Sequence, residues 1–163
     1  MVTARGVAGA VADPELPMLT LADLGILREV EEKDGGAVVV TITPTYSGCP
    51  AMGTIRADLF AALREAGYAD VQVRTLLFPA WTTDWITRDG RRKLAEAGIA
   101  PPGTAPVRHG PVPLTLGPAH RRLDCPNCGS GDTEELSRFG ATACKSLWRC
   151  RACREPFEHL KEL

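Results

Sequence analysis

Two Cys-x-x-Cys pairs, CPNC at Cys125 to Cys128 and CRAC at Cys150 to Cys153, stand 21 residues apart near the end of the chain, and no other feature limits its folding so tightly. Two thiolates separated by two residues grip one metal ion from the same side of a tight turn, and a second such pair completes a tetrahedron. Gly129 follows the first pair and suits a turn whose backbone amides point at sulfur. Between the pairs, Thr133 to Ser137 and Ser146 to Arg149 read as short strands, and the apolar supply is small: Leu136, Phe139, Leu147, Trp148 and Phe157. Apparent zinc affinities of about 10 to 16 kcal/mol exceed what those side chains can contribute. The expectation is a closed zinc ribbon with one structural zinc per chain, held by Cys125, Cys128, Cys150 and Cys153, with no ligand position left for chemistry. Two readings of the same thiols compete with it: a pair of redox disulfides, and a rubredoxin-like iron site for electron transfer.

The rest of the chain is built differently. Five of the six cysteines fall in the last third, and the first 120 residues hold only Cys49 with a normal supply of Val, Leu and Ile. From Ile26 to Thr43 two extended runs flank Asp34-Gly35-Gly36, which is a hairpin signal. After Pro44 the period changes: Met52, Ile55, Leu59, Leu63 and Ala66 recur at helical spacing before Gly67. Val71, Val73, Thr75 and Leu77 alternate as a third strand, and a second helix is predicted over about Thr87 to Ala97. A hairpin, a helix crossing back and a further strand make a two-layer α/β (α+β) domain. Residues 101–118 carry six of the 13 prolines and almost no periodicity, which predicts a linker. The organisation expected is therefore a domain at 1–100, a Pro-rich linker at 101–120 and the ribbon at 121–163.

Charge restricts the partners. With 19 Lys and Arg against 20 Asp and Glu the net charge is -1, so no global field draws the chain to polyanions. Lys145, Arg149, Arg151 and Arg154 cluster near Trp148 and Phe157, yet residues 121–163 hold eight basic and seven acidic groups, far from the footprint of a nucleic-acid-binding ribbon. No apolar run approaches the roughly 18 residues that span a bilayer, and the N-terminal stretch lacks the basic start of a secretion signal. The expectation is a cytoplasmic protein that uses neither nucleic acid nor membrane. Self-association is left open.

Cys49 lies in TPTYSGCPA, between the end of a strand and the start of a helix, with Pro50 suited to the first helical position. The positive end of a helix dipole, worth up to about 2 kcal/mol, would lower a thiol's pKa from about 8.5 toward 7. The alternative is a buried, inert cysteine near a turn. Asp13 and Glu15, in DPELP, either meet a metal or only start and solvate a turn. Cys144 is open to three readings: buried packing, a second reactive thiol, or an alternative metal ligand. Trp81 and Trp85, with Phe78 and Pro79, read either as core caps or as a docking patch. His159 reads as a surface residue, and His109 and His120 fall in or beside the linker. No histidine stands at a motif position to act as base for a thiol enzyme.

DPELP at Asp13 to Pro17, LADLGIL at Leu21 to Leu27 and TPTYSGCP at Thr43 to Pro50 together resemble the iron-sulfur cluster assembly domain family. With WTTDW at Trp81 to Trp85, GIAPP at Gly98 to Pro102, FGATACK at Phe139 to Lys145 and the terminal cysteines, the whole chain is similar to the PaaD family of phenylacetyl-CoA epoxidase systems. The resemblance implies an accessory factor rather than an enzyme. Its expected partners are oxygenase or reductase subunits or iron-sulfur assembly proteins. It also implies that Cys49 handles a transient iron or iron-sulfur cluster beside Asp13 and Glu15. A lone thiolate with nearby carboxylates holds iron weakly enough to release it.

Overall fold

The computed structural model describes residues 3–104 and 122–162, and the chain divides into two compact units, residues 1–93 and 94–163. Most of the expected linker, with His109 and His120, lies outside the described residues.

The first unit opens with α1 (Ala4–Ala10), whose Thr3 cap accepts a hydrogen bond from the Gly6 amide at 3.2 Å. No helix is legible in the sequence here, because ARGVAGA is mostly Ala and Gly and offers no stripe of large apolar residues. β1 (Leu27–Glu32) and β2 (Ala37–Ile42) form the expected antiparallel hairpin. Its turn uses Gly35 and Gly36 at φ +92° and +84°, a region closed to most side chains. The chain then crosses through α2 (Met52–Glu65) and returns as β3 (Asp70–Thr75), parallel to β2, so the strand order is β1-β2-β3.

A central strand meets neighbours on both edges, and Val38 to Ile42 are all buried. On α2 the stripe Ile55, Leu59 and Leu63 is fully buried, as its spacing of four residues requires. Burial of one such side chain contributes about 1.5–3 kcal/mol.

Two sequence motifs lock to each other within this unit. Trp81 Nε1 donates to the Leu24 carbonyl at 2.9 Å, and the Thr87 amide donates to the Asp23 carbonyl at 2.8 Å. The Arg28 guanidinium lies 3.5 Å over the Trp85 ring. Gly25, at φ +68°, leaves no room for a side chain: a Cβ would sit 2.6 Å from the Trp85 carbonyl oxygen. Lys93 Nζ, at the start of the last turn of α3 (Arg88–Glu96), meets Asp23 Oδ2 at 2.6 Å. Trp81 is thus a core residue and Trp85 is half-buried, whereas Phe78 is 88% exposed.

The second unit is a sheet of β4 (Ile99–Ala100), β5 (Thr133–Ser137), β6 (Lys145–Cys150) and β7 (Pro156–Leu160), in the order β4-β7-β6-β5. Residues 99 and 100, expected at the end of the first domain, pair here with β7. Its core is small: Ala100, Cys125, Trp148, Cys150 and Phe157, with Leu123 and Cys153 partly buried. One expectation is corrected. His159 is a buried residue with 1% exposure, because the chain continues past the second cysteine pair as β7 and turns this side chain inward. Ser146 Oγ stands 3.3 Å from its Nδ1, Glu162 Oε1 3.4 Å from its Nε2, and Trp148 meets the ring edge-on. Three of the four basic residues clustered near the ribbon are in ion pairs. Glu134 on β5 takes both Arg149 and Arg151, and Lys145 meets Glu158 at 2.7 Å.

Gly25→Ala is expected to destabilise the first unit by about 2–4 kcal/mol, from positive-φ strain plus the Trp85 clash, measured by urea denaturation. Burial alone would raise the Asp23 carboxyl, but the Lys93 ammonium and the Thr20 amide and hydroxyl hold it below the ordinary carboxylate range. Its contribution is therefore present at neutral pH and lost as the pH falls through that lowered value. Asp23→Asn should lower stability at pH 7 and flatten this acid limb of the pH–stability curve.

Candidate metal centre

Both cysteine pairs sit on the same turn, drawn twice. The Cys125 amide donates to Ser130 O at 2.9 Å, and the Cys150 amide to Glu155 O at 3.0 Å, each closing a loop of equal length. Four residues after each first cysteine the backbone is left-handed: Gly129 at φ +74° and Arg154 at φ +66°. A glycine accepts this freely, whereas an arginine does so at a cost of about 1–2 kcal/mol. Gly129 was legible in the sequence. Arg154 was not, although superposing CPNCG on CRACR puts it at the equivalent place.

The turns bring the four sulfurs together, all within 4.8 Å of one another. Cys125 and Cys153 are 3.7 Å apart, and Cys128 and Cys150 are 3.6 Å apart. A tetrahedron with metal–sulfur bonds of about 2.3 Å has edges of about 3.8 Å, so the donor set fits one tetrahedral ion. A disulfide requires about 2.05 Å, and none of the six cysteines forms one.

Backbone amides aim at these sulfurs: those of Cys153 and Ala152 at Cys150, that of Ser130 at Cys128, and that of Glu155 at Cys153. The Cys153 and Ala152 amides draw the Cys150 thiol down to about 7, against desolvation. The Glu155 amide pulls Cys153 down, yet desolvation and hydrogen bonds shared with the other three sulfurs push it up to about 12.

The other candidate residues lie elsewhere. Cys144 precedes β6, a strand with a rise of roughly 17 Å that ends at Cys150, so it cannot replace a ligand of the second pair without rebuilding that strand. It is buried, with its Sγ 3.0 Å from Thr142 Oγ1. Cys49 is half-exposed on a turn closed by its amide to Tyr46 O at 3.2 Å. Helix α2 begins at Met52 with Ala51 as its cap, so Pro50 stands before the helix rather than at its first position. No side chain caps that N-terminus and no acidic residue occupies its first turn. Asp13 Oδ1 accepts from the Glu15 and Leu16 amides, both at 2.9 Å, which makes this carboxylate the anchor of its own turn. Burial pushes Asp13 upward, opposed by those two amides. Glu15 is half-exposed beside it.

A family model described as the PaaD zinc beta ribbon domain matches residues 109–161, and one described as iron-sulfur cluster assembly protein matches residues 6–74. An Escherichia coli (strain K12) protein provisionally assigned as a component of 1,2-phenylacetyl-CoA epoxidase is 46% identical over 93% of this chain and 86% of its own length. The chain belongs to the PaaD family. The PaaD likeness takes in both units: an iron-sulfur-assembly-type domain and a cysteine ribbon that binds metal. The Fe-S protein maturation auxiliary factor SufT of Staphylococcus aureus (strain USA300) is 33% identical over 48% of this chain and 89% of its own length. A crystal structure of a domain of unknown function, DUF59, from Bacillus anthracis shares the fold with a TM-score of 0.52 at 27% identity, covering 56% of this chain and 87% of that one. Among the described residues no helix is long and apolar enough to cross a membrane.

Because every ligand must be a thiolate, metal uptake expels protons, and apparent affinity falls as the pH is lowered. Adding metal to the metal-free chain at pH 7 should release protons to an indicator dye. A strong chelator should abolish the near-ultraviolet signal of Trp148 while leaving the helical signal of the first unit.

Proposed function

We propose that this chain is a cytoplasmic accessory factor that helps mature or maintain the iron or iron-sulfur centres of a phenylacetyl-CoA epoxidase, with Cys49 as the thiol that handles iron. The observation that carries the reading is the match to the Escherichia coli epoxidase component along nearly the whole chain. The similarity to SufT, named as an auxiliary factor of Fe-S protein maturation, supports the same direction.

The chemistry is divided between the units. In the ribbon, zinc held by four thiolates is structural, since the set is complete and leaves no position for substrate. In the first unit, Cys49 is the one cysteine, placed just ahead of the uncapped N-terminus of a 14-residue helix. The partial positive charge of that terminus favours a thiolate over a thiol. One thiolate gives iron cargo a weak hold, which suits delivery to a partner protein. Glu15 is half-exposed and available to a cation, whereas Asp13 is engaged in its turn.

Cys49→Ala is expected to leave the chain folded and its ribbon metal-loaded, while the iron content of the epoxidase subunits falls several-fold in cells that depend on the enzyme. Fully metallated partner subunits in that variant would overturn the role of Cys49. Elemental analysis of the wild-type chain, purified without added metal, should give one equivalent of redox-silent zinc. A coloured, reducible iron site would instead make the ribbon an electron carrier.

A further inference from the structure

The three-stranded sheet has two edges, and they are finished differently. Edge strands are ordinarily blunted by bulges, charge or cover. At β1 the register shifts between Leu27 and Glu29, and Arg28, Glu29, Glu31 and Glu32 crowd the strand with charge. At β3 the pairing with β2 runs unbroken through six residues, with no bulge and no proline.

The outward groups of β3 can be assigned. Leu76 N donates to Ile42 O at 2.9 Å, so alternate residues from Asp70 to Leu76 face β2, while Val71, Val73 and Thr75 face away. The Val73 carbonyl is met from the outside by Arg56 Nη2 at 3.2 Å, in the place a strand amide would take. The edge then runs into three consecutive exposed apolar residues, Leu76 at 48%, Leu77 at 60% and Phe78 at 88% exposure.

We infer that the β3 edge is the contact surface for a second copy of this chain, the two strands pairing antiparallel about Gln72. The charge pattern selects that partner and that register. Centred on Gln72, Asp70 of one copy stands opposite Arg74 of the other, twice, on the outer face of the sheet. Opposite charges directly across an antiparallel pair stabilise it, whereas a register centred on Arg74 would set like charges together. Val71 and Val73 then exchange main-chain hydrogen bonds with Val73 and Val71 of the other copy, and a partner amide replaces Arg56 at the Val73 carbonyl.

The same register accounts for the apolar residues. It carries Leu76 to Phe78 of each copy toward the end of the other copy's β3 where a cleft of about 440 Å³ is lined by Lys33, Ala37, Val38, Asp70, Val71 and Gln72. Such an interface is isologous, so one strand supplies both halves and the assembly closes at two copies. It is independent of Cys49 and of the metal.

The test is sedimentation equilibrium of the full metal-loaded chain with charge-swapped variants. Wild type should be a reversible dimer. Asp70→Arg alone, and Arg74→Asp alone, should each weaken self-association by about tenfold or more, and the double swap Asp70→Arg/Arg74→Asp should restore it. Both positions of the swap are solvent-exposed, and circular dichroism of each variant checks the fold. A wild-type chain that stays monomeric into the high micromolar range would overturn the inference and leave the edge to a different protein. A dimer indifferent to the single swaps, or one the double swap fails to restore, would overturn it too.

Discussion

The convergence of four sulfurs is the constraint from which the second unit takes its shape. Its sheet of short strands buries few large apolar side chains, Trp148, Phe157, Ile99 and Leu160, at about 1.5–3 kcal/mol each. The turns that carry the cysteines accept a left-handed arginine at Arg154 and leave Cys128 exposed. Both features are costs that a packed core would avoid, and both follow once the sulfur positions are fixed by a metal. The buried grouping of Trp148, Ser146 and His159 extends that order along β6 and β7, with the Trp148 indole donating to Ser146 Oγ at 2.9 Å.

The first unit rests on ordinary packing and on a lock between two segments distant in sequence. Leu24, Gly25 and Arg28 receive Trp81 and Trp85, and Asp23 receives Thr87 and Lys93. The motif residues from Leu21 to Leu27 therefore serve the architecture directly. So does Asp13, whose side chain closes its own loop. At the surface of that frame stand a half-exposed thiol before α2 and a projecting apolar bend after β3.

Sequence reading succeeded where a local rule applied. The Gly-Gly hairpin, the stripe of Ile55, Leu59 and Leu63, and the third strand each follow from period or turn chemistry, and the cysteine spacing foretold which four sulfurs meet. It failed where the deciding contact is remote. β4 is two residues long and exists because β7 lies alongside it, and His159 is inward because β7 continues the sheet. The opposite fates of Trp81 and Phe78, three residues apart, depend on the Leu24 carbonyl 57 residues from Trp81. No window around either residue contains that information.

Glu134 has a consequence of its own. It sits on β5, an edge strand of its sheet, and faces Arg149 across the pair while also receiving Arg151. The arginines draw its carboxyl below the usual range, Arg151 first. The two arginines are exposed and Glu134 is half-buried, so dissolved ions reach and screen these pairs, while the sulfur-bound turns are indifferent to such screening. Rising ionic strength should thus fray this margin of the ribbon first, which makes amide exchange along Thr133 to Ser137 a local salt gauge in a module otherwise clamped shut.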